Sequence, residues 1–439
     1  MSADATKPKP KPRLLKRRED YTIGIVCALP KEARAVRAAF DFTVPSSEML
    51  GPVEGDSNAY SYGTMGNYHV VLAHLSSMGK NSAKGAAENM ARSFRNIKLC
   101  LLVGICGIVP KIAGQGAVLG DVVVSTMVKQ YDLGRLYPSG FQSKDTVDSA
   151  LRKAPIEVRN FISYLEASDE LHPRTLDHLA ALQQKALKDY RLAEYLYPYS
   201  VEDHVEDHLY EPNYIHKHRD LTCEFCDAGN FCQGAADDDC EELDCGTSEL
   251  ISRPRVQQIA NVCTETTYSP SERQQKLAEL LPRIFLGVVA SGDTVMKSGA
   301  VRDEIAKKHK IVAFEMEGAG VWDSLPTVVV KGACDYGDSH KNKKFQEYAA
   351  LTAAACAKAL LDIVQMGIPR NVEYGPDDAP QQTQQEQQAQ QAHGADTGRS
   401  GGHVFSGTFT GSNFGIGETY NSGRDMYFGG SPQNRGRRG

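Results

Sequence analysis

The sequence predicts an α/β domain, with a mixed, largely parallel central sheet flanked by helices and interrupted by one large insertion. Two observations predict the sheet. Tyr21-Thr22-Ile23-Gly24-Ile25-Val26-Cys27-Ala28-Leu29 is an apolar run suited to a strand buried on both faces, and similar runs recur at Tyr68–Leu75, Leu99–Ile105, Val122–Ser125, Ile284–Ala290, Ile311–Phe314 and Thr327–Ala333. Between them lie helical stretches near Ser82–Phe94, Gly299–Lys308, Glu317–Ser324 and Phe345–Gln365, and such alternation implies a sheet covered on both sides. A third observation predicts the insertion. From about 140 to 282 the rhythm breaks, giving a helical piece at Leu176–Tyr195 and then Asp-, His- and Cys-rich sequence from Val201 to Cys245.

The first unit reads strand, tight turn, helix. Pro30 stands where helices begin, and Lys31 to Phe40 is rich in helix formers, with Leu29, Val36 and Phe40 at near-helical spacing. Residues 21–370 form the expected domain. Residues 1–20 read as a disordered basic arm ending in Lys16-Arg17-Arg18, a solubilising tail or else an import or polyanion-binding segment. Residues 371–400 read as a Gln-rich linker, since Gln381–Gln391 holds eight glutamines and too little apolar surface to offset its ordering entropy. Residues 401–439 form a Gly-rich tail with spaced Phe405, Phe409, Phe414 and Tyr420. A flexible tail is the expectation, and aromatic self-assembly is the alternative.

Composition narrows the function. The 439 residues are 41% hydrophobic and 24% charged, a globular balance, and no apolar run approaches the roughly 20 residues needed to span a bilayer. A membrane partner is not expected. With 49 basic against 55 acidic residues the charge is −6, so nucleic-acid backbones are not generally attracted and no specific nucleic-acid partner is expected. Eleven cysteines beside an N-terminus that lacks the apolar core of a secretory signal suggest an intracellular, reduced protein, cytoplasmic or nuclear.

Ligands of α/β sheets bind at strand ends, where this sequence places Glu32, Glu317, Asp335 and the cluster Ser291-Gly292-Asp293. Each alone is explained by helix capping, because carboxylates favour helix N-termini. Together they suggest an acidic site without metal-ligand spacing.

The motifs Ile23 to Glu32, Gly104-Ile105-Cys106-Gly107, Gly120-Asp121-Val122-Val123-Val124-Ser125, Ser291-Gly292-Asp293, Phe314-Glu315-Met316-Glu317-Gly318-Ala319 and Cys334-Asp335 occur in this order. The chain thereby resembles the nucleoside phosphorylase/nucleosidase superfamily. The run Cys334 to Lys343 is most similar to the fungal-type domain joined to NACHT or ankyrin regions, and the resemblance covers about 21–366, neither tail included. It implies an active site that breaks the bond between a purine and ribose, with Glu32 activating water, Asp335 protonating the base and Glu317 holding the ribose hydroxyls. Met316 would pack below the sugar, Gly107 would be among the substrate-binding residues, and Val295 and Met296 would border the base, where related nucleosidases often carry an aromatic residue. The chemistry is coherent: the base leaves as an anion unless protonated, while the ribose becomes oxocarbenium-like. No cofactor is implied, and a homo-oligomer is.

Hydrolysis is the expected reaction. Phosphorylases of the superfamily carry a Gly-Asp-Pro phosphate loop after the first strand, where this chain has Leu29-Pro30-Lys31-Glu32. A phosphate-dependent purine nucleoside phosphorylase is one alternative, and a catalytically silent binding or oligomerisation module of an immune-type protein is another. The expected substrate is an adenine nucleotide such as ATP, because Lys297, His340, Lys341, Lys343 and Lys344 could surround the 5′ group; a solvated basic face is the competing reading.

The insertion's His216, His218, Cys223, Cys226, Cys232, Cys240 and Cys245 admit tetrahedral zinc. The irregular spacing of the second pair makes a loop of reduced thiols the expectation, and the metal assignment is unknown. His204 and His208 read as a solvated face.

Overall fold

The computed structural model describes residues 17–51, 53–138, 140–144, 151, 153–188, 207–219, 223–227, 230–341, 343–364 and 366–368. The linker and tail beyond 370 and the basic arm up to residue 16 lie outside them, as does His204. Its elements are β1 (Ile23–Cys27), α1 (Pro30–Ala39), β2 (Phe42–Thr43), β3 (Ala59–Met65), β4 (Tyr68–His74), α2 (Lys80–Ser93), β5 (Leu99–Ile108), β6 (Lys111–Ile112), β7 (Gln115–Gly116), β8 (Val122–Gln130), β9 (Gly134–Tyr137) and β10 (Gly140–Ser143). There follow α3 (Ile156–Ala167), α4 (Leu171–Lys188), α5 (Glu224–Asp227), α6 (Gln233–Asp237), α7 (Pro254–Thr264) and α8 (Pro270–Ala278). The chain then forms β11 (Ile284–Ser291), α9 (Gly299–His309), β12 (Ile311–Glu315), α10 (Gly318–Val321), β13 (Thr327–Asp335) and α11 (Gln346–Ile363).

The expected strands pair in one mixed sheet of order β12-β11-β8-β13-β5-β1-β4-β3-β2. The chain pairs β4, β1, β5 and β13 in parallel, whereas β8 runs antiparallel to β13. A further antiparallel pairing, Gly107↔Phe314 and Ile108↔Ala313, joins β5 to β12 and closes five strands into a ring. That closure brings the ends of β5 and β12 together. Their apolar residues are buried on both faces, against α1, α4 and α11 on one side and α2 on the other.

Strand β3 lacks a long apolar run and extends the sheet antiparallel to β4 through the two-residue turn Gly66-Asn67, where Gly66 takes φ +59°. Its Tyr60-Ser61-Tyr62-Gly63-Thr64 alternation before a Gly-Asn turn is a hairpin signal.

The insertion has two physically different parts. Val158, Phe161, Ile162 and Leu165 of α3 and Leu171, Leu179 and Leu182 of α4 belong to the same buried cluster as β1, β5 and α11. These helices are therefore integral to the domain and not an appendage. The Cys-rich part has its own small cluster around Tyr210, Cys226, Ala235, Leu243 and Cys245. No helix among the described residues is long and apolar enough to cross a membrane.

Buried ion pairs tie the insertion to the sheet. Asp121, fully buried before β8, accepts Arg255 Nη1 at 2.5 Å and Nη2 at 2.7 Å from α7, together with the amides of Val118 and Arg283. Burial raises the Asp121 pKa, opposed by Arg255. Arg255→Met removes the opposing charge, and the expected loss of unfolding free energy is about 3–5 kcal/mol, as for other broken buried pairs. In the variant, folded Asp121 holds its proton more tightly than the unfolded chain does, so stability falls as pH rises through that raised pKa. Urea denaturation of both proteins across pH 5–8 checks this, with the smaller difference expected at the acidic end.

Candidate active site

Glu32 is built by the first strand-helix turn. Leu29 caps α1 and Pro30 opens it, which puts Glu32 at the third helical position, able to reach back to the cap. Its Oε2 accepts the amides of Ala28 at 2.9 Å and Leu29 at 2.8 Å, so the capping role is real. A capping glutamate ordinarily faces water, yet Glu32 is only 2% exposed and its Oε1 crosses to β5 to accept Ile105 N at 2.9 Å. Gly104 makes this seat available: a Cβ there would lie 2.2 Å from Glu32 Oε1. Burial pushes the Glu32 pKa up, and Lys331 opposes the rise.

Asp335 ends β13 after a register shift that sets it opposite Gly107 of β5. A Cβ on Gly107 would lie 2.8 Å from Asp335 Oδ1, so this glycine too makes room for a carboxylate. Asp335 Oδ1 accepts Gly337 N at 2.9 Å, and Oδ2 receives Lys341 Nζ at 2.7 Å and the Cys334 thiol at 3.0 Å. Burial lowers the Lys341 pKa, but Asp335, Cys334 and Cys106 together outweigh it and the net direction is upward.

Glu315 ends β12 and Glu317 follows it. Glu315 accepts the amides of Glu317 and Gly318 at 2.9–3.0 Å, which folds the chain back on itself and turns Glu317 inward. Glu317 Oε1 meets Gly79 N at 3.3 Å, and its Oε2 meets Lys331 Nζ at 3.0 Å. Lys331, fully buried in β13, also lies 3.6 Å from Glu315 Oε2. Burial alone would lower the Lys331 pKa, but Glu317, Glu32 and Glu315 together drive it up, so it stays an ammonium. Sequence reasoning missed this residue. A lysine within Thr327–Ala333, otherwise a continuous apolar strand, is the signal that could have found it.

Glu32, Glu317, Asp335, Gly107, Val295, Met296, Met316 and Lys341 all line one cavity of about 170 Å³, with Glu315, Phe314 and Cys106 also in its wall. The other expected residues are placed elsewhere. Lys297 is exposed and lines a separate cavity beside the Cys-rich part. His340 is buried against the rings of Tyr210 and Tyr214, and Lys343 is exposed, neither lining the cavity. Asp293 accepts Lys80 N at 2.8 Å and anchors the start of α2. Among the described lining residues, four carboxylates face the single cation Lys341, a surface suited to a developing positive charge and unsuited to an anion.

No family model matches the chain. Over 357 residues, 79% of its length, it is 30% identical to a nucleotide-binding leucine-rich repeat (NLR)-like protein of Hyaloscypha variabilis, and it spans 30% of that relative. A shorter match of 72 residues, 15% of this chain and 14% of the relative, is 33% identical to the ATP nucleosidase Cap17 of Escherichia coli. Two solved structures are similar. The 5′-methylthioadenosine/S-adenosylhomocysteine nucleosidase of Neisseria meningitidis gives a TM-score of 0.42 at 14% identity, covering 77% of this chain and 97% of that one. Futalosine hydrolase of Helicobacter pylori gives 0.41 at 16% identity, covering 78% and 98%. The ordered sequence motifs, the mixed sheet that carries them and the short match to an ATP nucleosidase are consistent with the nucleoside phosphorylase/nucleosidase superfamily that the motifs resemble.

Proposed function

We propose that the chain is a purine N-glycosidase that hydrolyses the bond between base and ribose. The observation that carries this reading is the convergence of Glu32, Glu317 and Asp335 on one cavity from three separate parts of the chain. In the proposed reaction a water oxygen bonds to C1′ as the bond from C1′ to N9 breaks. Glu32 takes the water's proton, and the Asp335–Lys341 pair delivers a proton to N7 so that the base leaves neutral. The Glu317 carboxylate, held by Lys331, receives the ribose hydroxyls, and Met316 lines the sugar. The raised pKa of Glu32 suits a base working near neutrality.

Phosphorolysis would need an anion among four carboxylates whose nearest lining cation already binds Asp335. That arrangement favours water as the nucleophile. The substrate reading rests on different ground from the sequence expectation. Of the basic residues named for the 5′ group, only Lys341 lines the cavity, and it is occupied by Asp335. An adenine nucleotide, ATP included, is supported instead by the sequence similarity to an ATP nucleosidase. It is also supported by a neighbouring cavity of about 230 Å³ that shares Ala28 and Leu29 with the first and is lined by Arg34, Arg37 and His74.

Incubation with ATP, adenosine and methylthioadenosine, with and without phosphate, tests the reading. Adenine and free ribose species in phosphate-free buffer are expected. Ribose 1-phosphate species formed only with phosphate would establish the phosphorylase alternative, and inactivity on every purine substrate would establish a binding module. Glu32→Gln and Asp335→Asn are each expected to lower base release about 10²- to 10⁴-fold with the fold retained. Turnover within a few-fold of the parent would remove that residue from the mechanism.

Two further outcomes are expected. The acid limb of kcat/KM should lie above 4.5, because Glu32 must be ionised to accept a proton and burial raises its pKa from that value. The double substitution Arg34→Ala/Arg37→Ala should raise KM for ATP while leaving that for adenosine unchanged. Equal effects on both substrates would detach the second cavity from the 5′ phosphates.

A further inference from the structure

The Cys-rich part of the insertion, spread over residues 216–245 in sequence, collects its thiols and imidazoles into two groups. In one, His218, Cys223, Cys226 and Cys232 bring their ligand atoms within 4.8 Å of one another. In the other, His216, Cys245 and His340 do the same, and Cys240 Sγ lies 3.7 Å from His216 Nδ1.

The spacings are those of tetrahedral edges. Two thiolates each about 2.3 Å from zinc sit about 3.8 Å apart, and a thiolate and an imidazole nitrogen about 3.6 Å apart. Cys223 Sγ and Cys232 Sγ are 3.8 Å apart, and His218 Nδ1 lies 3.3 Å from Cys226 Sγ and 3.8 Å from Cys232 Sγ. His216 Nδ1 lies 3.3 Å from Cys245 Sγ.

The outer sides of both imidazoles are also arranged as metal ligands require. One residue, Asp238, serves both: its carbonyl meets His216 Nε2 at 3.0 Å, and its carboxylate lies 3.5 Å from His218 Nε2. A partner that holds the proton on Nε2 leaves Nδ1 bare and directed at the sulfurs. His340 adds an independent sign. It is buried, stacked 4.0 Å from the Tyr210 ring and 5.4 Å from that of Tyr214, and among the described residues neither of its ring nitrogens has a hydrogen-bond partner. An imidazole left so in a protein interior is costly unless something else takes its lone pair.

We propose that the insertion holds two structural zinc ions, one on His218, Cys223, Cys226 and Cys232 and the other on His216, Cys240, Cys245 and His340. Four protein ligands at each leave no open position, and sulfur-rich tetrahedral sets select zinc. The second ion reaches outside the insertion. His340 belongs to the loop after β13, and the residues on either side of it are held in place: Tyr336 by Asp207 and Arg253, Gly337 by Asp335, Ser339 by the amide of His216, and Lys341 by Asp335. Zinc on His340 cross-links the insertion to the loop that carries Lys341 to Asp335.

Elemental analysis of the full chain, produced with zinc supplied and purified without chelator, tests this. Two zinc ions per chain are expected. Cys223→Ser and Cys232→Ser should each lose one, and His340→Ala should lose the other. One or fewer in the parent, or undiminished content in the variants, overturns the proposal. Should a variant fail to fold, cobalt reconstitution of the parent decides: two equivalents should give the visible bands of tetrahedral cobalt-thiolate centres, and their absence overturns it. In hydrogen exchange, removing metal from the parent should speed exchange at 336–341 as well as in the insertion. Unchanged protection at 336–341 would overturn the cross-link.

Discussion

A lysine with no exposed surface, Lys331, stands among Glu32, Glu315 and Glu317, and the geometry of the candidate site depends on it. Three carboxylates cannot share a dry pocket as three anions, because their repulsion would add to the cost of burying each. One ammonium reduces that cost. It does not cancel it: burial still raises Glu32 and Glu315, while the lysine is held firmly protonated. The result is a pocket with a negative field and a proton acceptor of raised basicity. That is the environment a cationic sugar and a water nucleophile would use.

Placing those carboxylates is a problem of space as well as charge. Strand β5 solves it twice, by omitting a side chain at Gly104 for Glu32 and at Gly107 for Asp335. The antiparallel contact of Gly107 with Phe314 closes the ring of strands at the same point, so Glu315 and Glu317 arrive beside the other two acids. One short stretch of β5 thus sets the positions of groups from α1, β12 and β13. The four acids are spread over more than three hundred positions of sequence, and sheet closure makes them neighbours.

The insertion serves the site from two sides. Helices α3 and α4 fill the core beneath the sheet. Three residues of the insertion grip the segment after Asp335: Asp207 and Arg253 on Tyr336, and His216 on Ser339. A loop that must hold Lys341 against Asp335 lies at the end of a strand, where backbone pairing stops. Side-chain anchors supply there the order that the sheet no longer does.

Periodicity and composition in the sequence by themselves determined the alternation of buried strands and helices, because a strand covered on both faces must be apolar throughout and a helix over it must not be. They also determined which acids end those strands. Val201–Cys245 could be recognised as different, but not as the builder of two ligand-like clusters, since irregular spacing hides contacts made across a folded loop. The tertiary structure alone decided the rest. It showed that Glu32 is more than a cap, because Ile105 N and the gap at Gly104 are far away in sequence. It drew Lys331 into the site, an assignment that no local pattern makes, since a buried lysine is defined by carboxylates from other elements. It took His340 away from the cavity and Lys297 and Lys343 to the surface, because side-chain direction at a strand end depends on how the following loop is held. Sequence fixes residue type and periodicity, whereas charge pairing and enclosure depend on distances between segments, and only the closed sheet sets those.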